Sequence, residues 1–241
     1  MKTIIVSPLC TADSAKDLAN RLGIQWVEKA DNITWGDTFR VINWGCSRLK
    51  AENIILNDPR AVRRSLNKLR TFELLSDKVK MPTMTLDKEE AKQWAMDGRK
   101  VVVRNRVKGC KSQGITITKD THDIAILPAK FYTRFIANCT EYRVNVYKGK
   151  VLTVYRKEPC GNDFRFKIQL GPLIEATYDE TLKDFINNVD EHIKLDTYGL
   201  DMLHTPKGKW FLLEVNSAPI LFPITYKRLA KAIKQDLFEN E

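Results

Sequence analysis

The sequence predicts a mixed protein, α/β at its start and α+β beyond, and three observations carry that prediction. Apolar Ile4 to Val6, then Ser7 and Pro8, then Ala15, Leu18, Ala19 and Leu22 at helical spacing read as strand, loop and helix. Val101 to Arg104 and Ile115 to Thr118 are two short apolar runs bracketing a glycine-containing loop, which suits a small second unit. Past Pro128, Tyr142, Val144 and Val146 alternate with Arg143, Asn145 and Tyr147, the period-two pattern of a strand-rich third unit.

Taken in order, the first helix begins around Asp13 or Ser14 and stops at Gly23. Short strands follow at Gln25 to Val27, at Arg40 to Trp44 with a turn at Asn43-Trp44-Gly45, and at Ile54 to Leu56. Asp58 caps and Pro59 preorganises a helix expected to run to about Leu75, with Val62, Leu66, Leu69 and Phe72 toward the core. Arg60, Arg63, Arg64 and Lys68 line its other side, either as a solvated face or as a contact for an anionic ligand. A strand near Thr83 to Leu86, a helix over Lys88 to Met96 and the two strands flanking Asn105 to Gly114 come next. Lys148-Gly149-Lys150 turns the chain into Val151 to Arg156. Leu182, Phe185, Ile186, Val189 and Ile193 mark a helix over Thr181 to Leu195, and a last strand pair precedes a helix carrying Leu229, Ile233 and Leu237. The expected divisions are residues 1–75, 76–128 and 129–241, with no internal repeat.

Composition narrows the classes. A chain of 241 residues with 43% apolar content can bury a core, and no apolar run approaches the roughly 20 residues that span a bilayer. Cys10, Cys46, Cys110, Cys139 and Cys160 are odd in number, scattered and without a C-x-x-C pair, so the reading is a reduced cytoplasmic protein with neither disulfide framework nor zinc site. The net charge of +10 fits an anionic partner, whether nucleotide phosphates, an acidic substrate or nucleic acid, and equally a solvated basic surface with no special partner.

The stretch GLDMLHTPKGKWFLLEVNSAP, residues 199–219, carries most of the chemistry. Two apolar strands flank Thr205 to Lys209, where proline and glycine make a hairpin. A turn near Lys207-Gly208 sets Asp201 almost opposite Glu214, and Asn216 shares the face of Glu214. Hard oxygen ligands of this kind suit magnesium, whose remaining positions go to phosphate and water. Both acids can also be read as ordinary exposed hairpin residues, but Glu214 sits between Leu213 and Val215, where an unpaired carboxylate is costly. Lys108-Gly109-Cys110-Lys111-Ser112-Gln113-Gly114 has the small, basic character of a loop that closes over phosphates, and also that of a plain β-turn. Arg104 and Arg143 are charges embedded in apolar alternation, which fits a phosphate contact or a structural ion pair. His122, His192 and His204 are isolated, so no Ser-His-Asp or Cys-His arrangement emerges.

The order of these motifs over residues 60–222 resembles the ATP-grasp superfamily, in particular the glutamate ligases that modify a ribosomal protein and related peptide ligases. The resemblance rests on Asn67-Lys68, Met81-Pro82-Thr83, VVVRN at 101–105, KGCKSQGI at 108–115, FYTRFI at 131–136, TEYRVNVYKGKV at 140–151, and GLDM with LEVNSAP. It implies an ATP-grasp fold, two α+β subdomains clasping ATP after a small Rossmann-like N-terminal domain, and an ADP-forming amide ligation through an acyl phosphate. It implies phosphate contacts from Lys68 and Arg104, a phosphate cover from Lys111, Ser112, Gln113 and Gly114, and an adenine hinge at Tyr132, Thr133, Arg134, Phe135 and Ile136. Mg2+, as one or two ions, would be held by Asp201, Glu214 and Asn216. Arg143 would stabilise the acyl phosphate, and Arg156 and Arg165 would face the acyl substrate. The partners implied are a carboxylate and an amine, carried on an amino acid, a peptide or a modified nucleotide. Two positions depart from the family pattern: arginine stands at 104 where lysine is usual, and Arg134 stands where an acid is common in the hinge. The Asn43-Trp44-Gly45 turn is similar to that of compact ATP-grasp proteins borne by bacteriophages, which would place the protein in a bacterial host's cytoplasm. A protein acting on a nucleic-acid-linked acceptor and a nucleotide-binding module without turnover stay open beside the ligase.

Overall fold

The computed structural model describes residues 1–29, 38–108, 114–160, 163–167 and 180–239, with backbone alone for 158–160 and 163–167. Three four-stranded sheets organise them. The first is parallel, in the order β2-β1-β3-β4, from β1 (Lys2–Ser7), β2 (Gln25–Glu28), β3 (Phe39–Asn43) and β4 (Ile54–Leu56). Helix α1 (Ala12–Leu22) crosses over between β1 and β2 and buries Ala15, Leu18, Ala19 and Leu22. Gly23 ends it in a left-handed conformation, φ 73°, as the sequence predicts.

The single helix expected from Asp58 to Leu75 is two. Helix α2 (Pro59–Ser65) is capped by the Asp58 carboxylate, which accepts from the Arg60 and Ala61 amides. Asn67 then adopts an extended conformation and caps α3 (Lys68–Leu75) by accepting from the Arg70 amide. Asparagine competes with the helix for backbone donors, so the break falls there, and it leaves Leu66 40% exposed rather than in the core. The Lys68 amide donates to Val107 O at 2.7 Å, which fixes the start of α3 against the second unit.

That unit is antiparallel, β5-β8-β6-β7, from β5 (Met84–Thr85), β6 (Val101–Arg104), β7 (Ile115–Thr118) and β8 (Phe131–Arg134). Helix α4 (Lys88–Met96) covers one face with Trp94, Val101, Ile124 and Tyr132 in its core. A short helix unanticipated from sequence, α5 (Thr121–Ile126), joins it under an Asp120 cap.

The third sheet is also antiparallel, β10-β9-β13-β14. It is built from β9 (Thr140–Tyr147), β10 (Lys150–Arg156), β13 (Thr197–His204) and β14 (Trp210–Asn216); a small pair, β11 (Glu158–Cys160) and β12 (Asp163–Lys167), lies between them in sequence. Helix α6 (Glu180–Ile193) packs Leu182, Ile186, Val189 and Ile193 on one face with Phe72 and Leu75 of α3. Helix α7 (Pro223–Leu237) packs against the opposite face through Thr225, and against α1. It thus shares one core with the first sheet, including Ile42, Trp44, Tyr147, Leu229 and Ile233.

Asn57 ties the first sheet to the third. It is fully buried in a left-handed conformation, φ 62°, which asparagine tolerates better than most residues. Its amide Nδ2 donates to Thr197 O at 3.0 Å, and its Oδ1 accepts from the Asp196 and Thr197 amides at 2.9 and 3.0 Å. Gly45, φ 87°, closes the same junction, since a Cβ there would lie 2.9 Å from Ala218 Cβ. Asn57→Ala strands three buried polar groups and is expected to lower unfolding free energy by about 3 kcal/mol, read from urea denaturation.

Candidate active site

The face of the third sheet opposite α6 carries two polar rows. Strand pairing sets Tyr155, Arg143, Asp201 and Glu214 side by side in one, and Thr153, Asn145, Gly199 and Asn216 in the other. A β-bulge produces this alignment. His204, Leu203 and Met202 pair with Trp210, Phe211 and Leu212, but Asp201 pairs with Glu214, so Leu213 is the extra residue. Unbulged pairing would set Asp201 against Leu213, and the slip of one turns Glu214 and Asn216 away from the Trp210–Leu212 core face. The Thr205–Lys209 turn is closed by Thr205 N donating to Lys209 O, with Gly208 at φ 70°. The sequence expectation for Asp201 and Glu214 therefore holds in register, although the bulge rather than the turn centre creates it.

Asp201 is the most heavily engaged group. Arg143 grips it with both sides of its guanidinium, Nε to Oδ1 at 2.7 Å and Nη2 to Oδ2 at 3.0 Å, a fork geometry that suits carboxylate. Lys157 Nζ reaches Oδ1 at 2.6 Å and also pairs with Glu141. Asn216 Nδ2 is 3.4 Å from Oδ2. Lys68, carried to the edge strand β14 by the start of α3, meets Glu214 Oε1 at 2.5 Å. Burial alone would raise the Asp201 carboxyl, but the charges and hydrogen bonds of Arg143 and Lys157 outweigh it and hold the group well below the usual carboxylate range. Burial raises the Glu141 carboxyl despite Lys157.

Arg104 enters from the second sheet. It is 8% exposed and sits over the rings of Phe72 and Phe131 at 5.8 and 5.5 Å. Its hydrogen bond among the described residues is a long one, Nε to Thr133 Oγ1 at 3.5 Å, and burial pushes its pKa down to about 10 with Glu214 opposing. It remains a cation at neutral pH. Lys68, Arg104, Arg143 and Lys157 thus face Glu141, Asp201 and Glu214, which leaves one positive charge in excess before any ligand arrives.

The other sequence candidates divide. Thr133 shares the face of Arg104. Arg134 turns to the α4 side, 4.7 Å over the Trp94 ring, so its side chain does not join the cluster; alternation along β8 dictates that. Phe135 N donates to Lys100 O, and Ile136 is half-buried beside Cys139. Arg156 is exposed because it alternates with Tyr155, and Lys157, just past the strand end, takes the buried place instead. Neither Lys157 nor Glu141 was singled out from sequence; parity relative to Arg143 was the signal that marks Glu141. Gly114 adopts φ 72° and a Cβ there would fall 1.9 Å from Asn105 Oδ1, so the base of the glycine loop requires glycine. Lys111, Ser112 and Gln113 lie outside the described residues, as does the Arg165 side chain. Asp201, Glu214 and Asn216 are an all-oxygen donor set with two carboxylates, which fits magnesium sharing its sphere with phosphate and water. Among the described residues no group of three His, Cys, Asp or Glu side chains forms an all-protein metal cage.

The RimK-like ATP-grasp domain matches residues 66–237. The chain belongs to that family. Solved structures agree in fold. The RiPP-associated ATP-grasp ligase of Chryseobacterium gregarium, in complex with ADP and a leader and core peptide, superposes with TM-score 0.71 at 14% identity over 100% of this chain and 98% of that one. D-alanyl-alanine synthetase A from Vibrio cholerae gives TM-score 0.67 at 16% identity over 96% and 93%. The macrocyclase MdnC of Microcystis aeruginosa, bound with precursor peptide MdnA, gives 0.69 at 12% over 96% and 99%. A comparison with curated protein sequences finds no match. The three sheets are therefore those of an ATP-grasp fold, and no described helix is long and apolar enough to cross a membrane.

Two outcomes follow from the charges of this ATP-grasp site. A depressed carboxyl contributes stability that is present above its unfolded pKa and lost as pH falls through the folded one, so Asp201 should steepen the loss of stability below about pH 4. Asp201→Asn is expected to flatten that acid limb in thermal melts taken between about pH 5 and pH 2. Arg104→Met keeps the apolar contacts with Phe72 and Phe131 while removing a buried cation that has no carboxylate within hydrogen-bonding distance among the described residues. It is expected to raise the stability of the nucleotide-free protein by about 1–3 kcal/mol and to abolish thermal stabilisation by Mg-ATP, both read by calorimetry.

Proposed function

We propose that the protein is an ATP-dependent carboxylate–amine ligase whose carboxylate or amine is carried on a peptide. The observation that carries this reading is the buried row of charges: Asp201 and Glu214 aligned by the bulge, ringed by Lys68, Arg143 and Lys157, with Arg104 buried opposite. Family membership and the ATP-grasp fold support the class. The peptide preference draws on neighbours solved with precursor, leader and core peptides; nucleic acid has no comparable support.

In this reading Arg104 and Lys68 would receive phosphate oxygens, and Asp201, Glu214 and Asn216 would hold magnesium. The bound metal would supply charge neutralisation across the phosphates. Phosphoryl transfer depends mainly on placement and charge, so the chain's part is positional. Lys68 is ion-paired to Glu214, so the cation that would meet phosphate and the carboxylate that would hold the metal already stand side by side. Arg143 is fixed by Asp201 with no slack in its fork, which orients it for the oxyanion formed when an amine attacks an acyl phosphate. Lys157 and Arg143 together hold Asp201 ionised, the form a cation needs. The hinge at 132–136 would take the adenine, with its backbone rather than the Arg134 guanidinium facing the base. The loop through Lys111, Ser112 and Gln113 would cover the phosphates, and Arg165 would face the acyl group. Arg156, exposed near the end of β10, would face the acyl group as well, while the neighbouring Lys157 holds Asp201. The three units, 1–75, 76–128 and 129–241, would act as substrate domain, ATP lid and catalytic base.

The expected result is ADP and phosphate released only when both a carboxylate and an amine are present, with a product whose mass equals their sum less water. Glu214→Gln is expected to reduce kcat by about 10²–10³-fold with folding intact; full turnover by that variant would remove the metal role.

A further inference from the structure

A second charged feature lies away from the ligation site, between α1 and α7. A cavity of about 340 Å³ is lined by Arg21, Lys227, Lys231 and Lys234, with the buried Ala230 in its floor and Gln235 and Glu239 completing the lining. Lys227, Lys231 and Lys234 recur at helical spacing along one side of α7, and Arg21 closes the groove from α1. No carboxylate among the described residues forms an ion pair with any of the four. Among the lining residues Glu239 alone is acidic. The groove therefore concentrates positive charge in a concavity whose floor is apolar.

We infer that this groove docks an acidic segment of the substrate peptide, outside the residue that is ligated. Three observations favour that occupant. The lysines span seven residues of helix, roughly 10 Å, the reach of about three extended residues, so a short run of Asp and Glu matches the charges one for one. A single-stranded nucleic acid would need an exposed aromatic face for its bases, whereas Tyr226 is 6% exposed and lies under Arg21 at 5.5 Å. The groove also lies on the helix that follows the site in the chain: Pro219 approaches Gly199, and α7 then presents Lys227 first and Lys234 last. The assignment to substrate rests on the peptide-ligase reading; the affinity for an acidic peptide does not.

The test is fluorescence anisotropy of a short labelled peptide rich in Asp and Glu, titrated with the full chain without nucleotide, against a labelled single-stranded oligonucleotide of equal charge. The peptide is expected to bind more tightly than the oligonucleotide, and binding is expected to weaken about tenfold or more when Lys227→Glu, Lys231→Glu and Lys234→Glu are combined. Should that variant not fold, Lys231→Gln and Arg21→Gln singly make the same comparison. The Mg-ATP-induced rise in Tm should be the same in wild type and variant. Peptide binding that is absent, or indifferent to these substitutions, overturns the proposal, and so does an oligonucleotide that binds as tightly as the peptide. Absence of the Mg-ATP response in the wild type would sink the ligase reading alone and leave the groove to be judged by its own titration.

Discussion

Asp201 is gripped by Arg143 and Lys157 together, and the remainder of the site is arranged around that contact. A carboxylate this deeply placed is tolerable only because two cations and the Asn216 amide share its oxygens. In return Arg143, itself largely enclosed, is locked in orientation, and Lys157 is drawn in to bridge Glu141. Lys68 and Glu214 repeat the arrangement at the sheet edge. Ion pairs so placed contribute little net stability, since desolvation offsets much of the attraction. Their consequence is preorganisation: the groups that phosphate and metal would meet already stand in fixed positions and fixed charge states.

The scaffold that permits this is a sheet with two different faces. Toward α6, α2 and α3 it presents Val144, Val146, Tyr198, Leu200, Met202 and Leu212, a continuous apolar layer. Toward the site it presents charge. Period-two alternation would keep those faces separate along β13 and β9, but β14 changes parity at Leu213. Without that one extra residue, the Trp210 and Leu212 side would carry Glu214 into the apolar layer. A bulge beside a functional group is thus a requirement of the sequence here, because both the apolar residues and the acids of β14 must be satisfied.

The first sheet is joined to the catalytic one by buried contacts rather than by charge. Asn57 supplies donors and acceptors to the start of β13, and Gly45 lets Ala218 approach the end of β3. Helix α7 then packs on both, touching α1 on one side and Thr153 and Tyr155 through Thr225 on the other. The segment Ser217 to Phe222, which follows Asn216 directly, is therefore held from two directions, and the ligation site inherits that rigidity.

Local patterns determined much of this protein from sequence alone. Helices α1, α4 and α6, the strands around Arg104 and Arg143, and the 197–216 hairpin were legible because each is set by apolar period and by capping or turn residues close in the chain. The pairing of Asp201 with Glu214 was anticipated from the turn, but the bulge at Leu213 is what sets it. Only the tertiary structure decided which charges meet. Lys157 rather than Arg156 meets Asp201, Arg134 points to Trp94, and Glu141 joins Asp201 through Lys157, because strand parity and cross-strand register, not sequence proximity, choose the buried cation. The break between α2 and α3 belongs with them: Asn67 can continue a helix or cap a new one, and the Lys68 amide bond to Val107 O, from the loop after β6 and far away in sequence, tips the balance toward the cap.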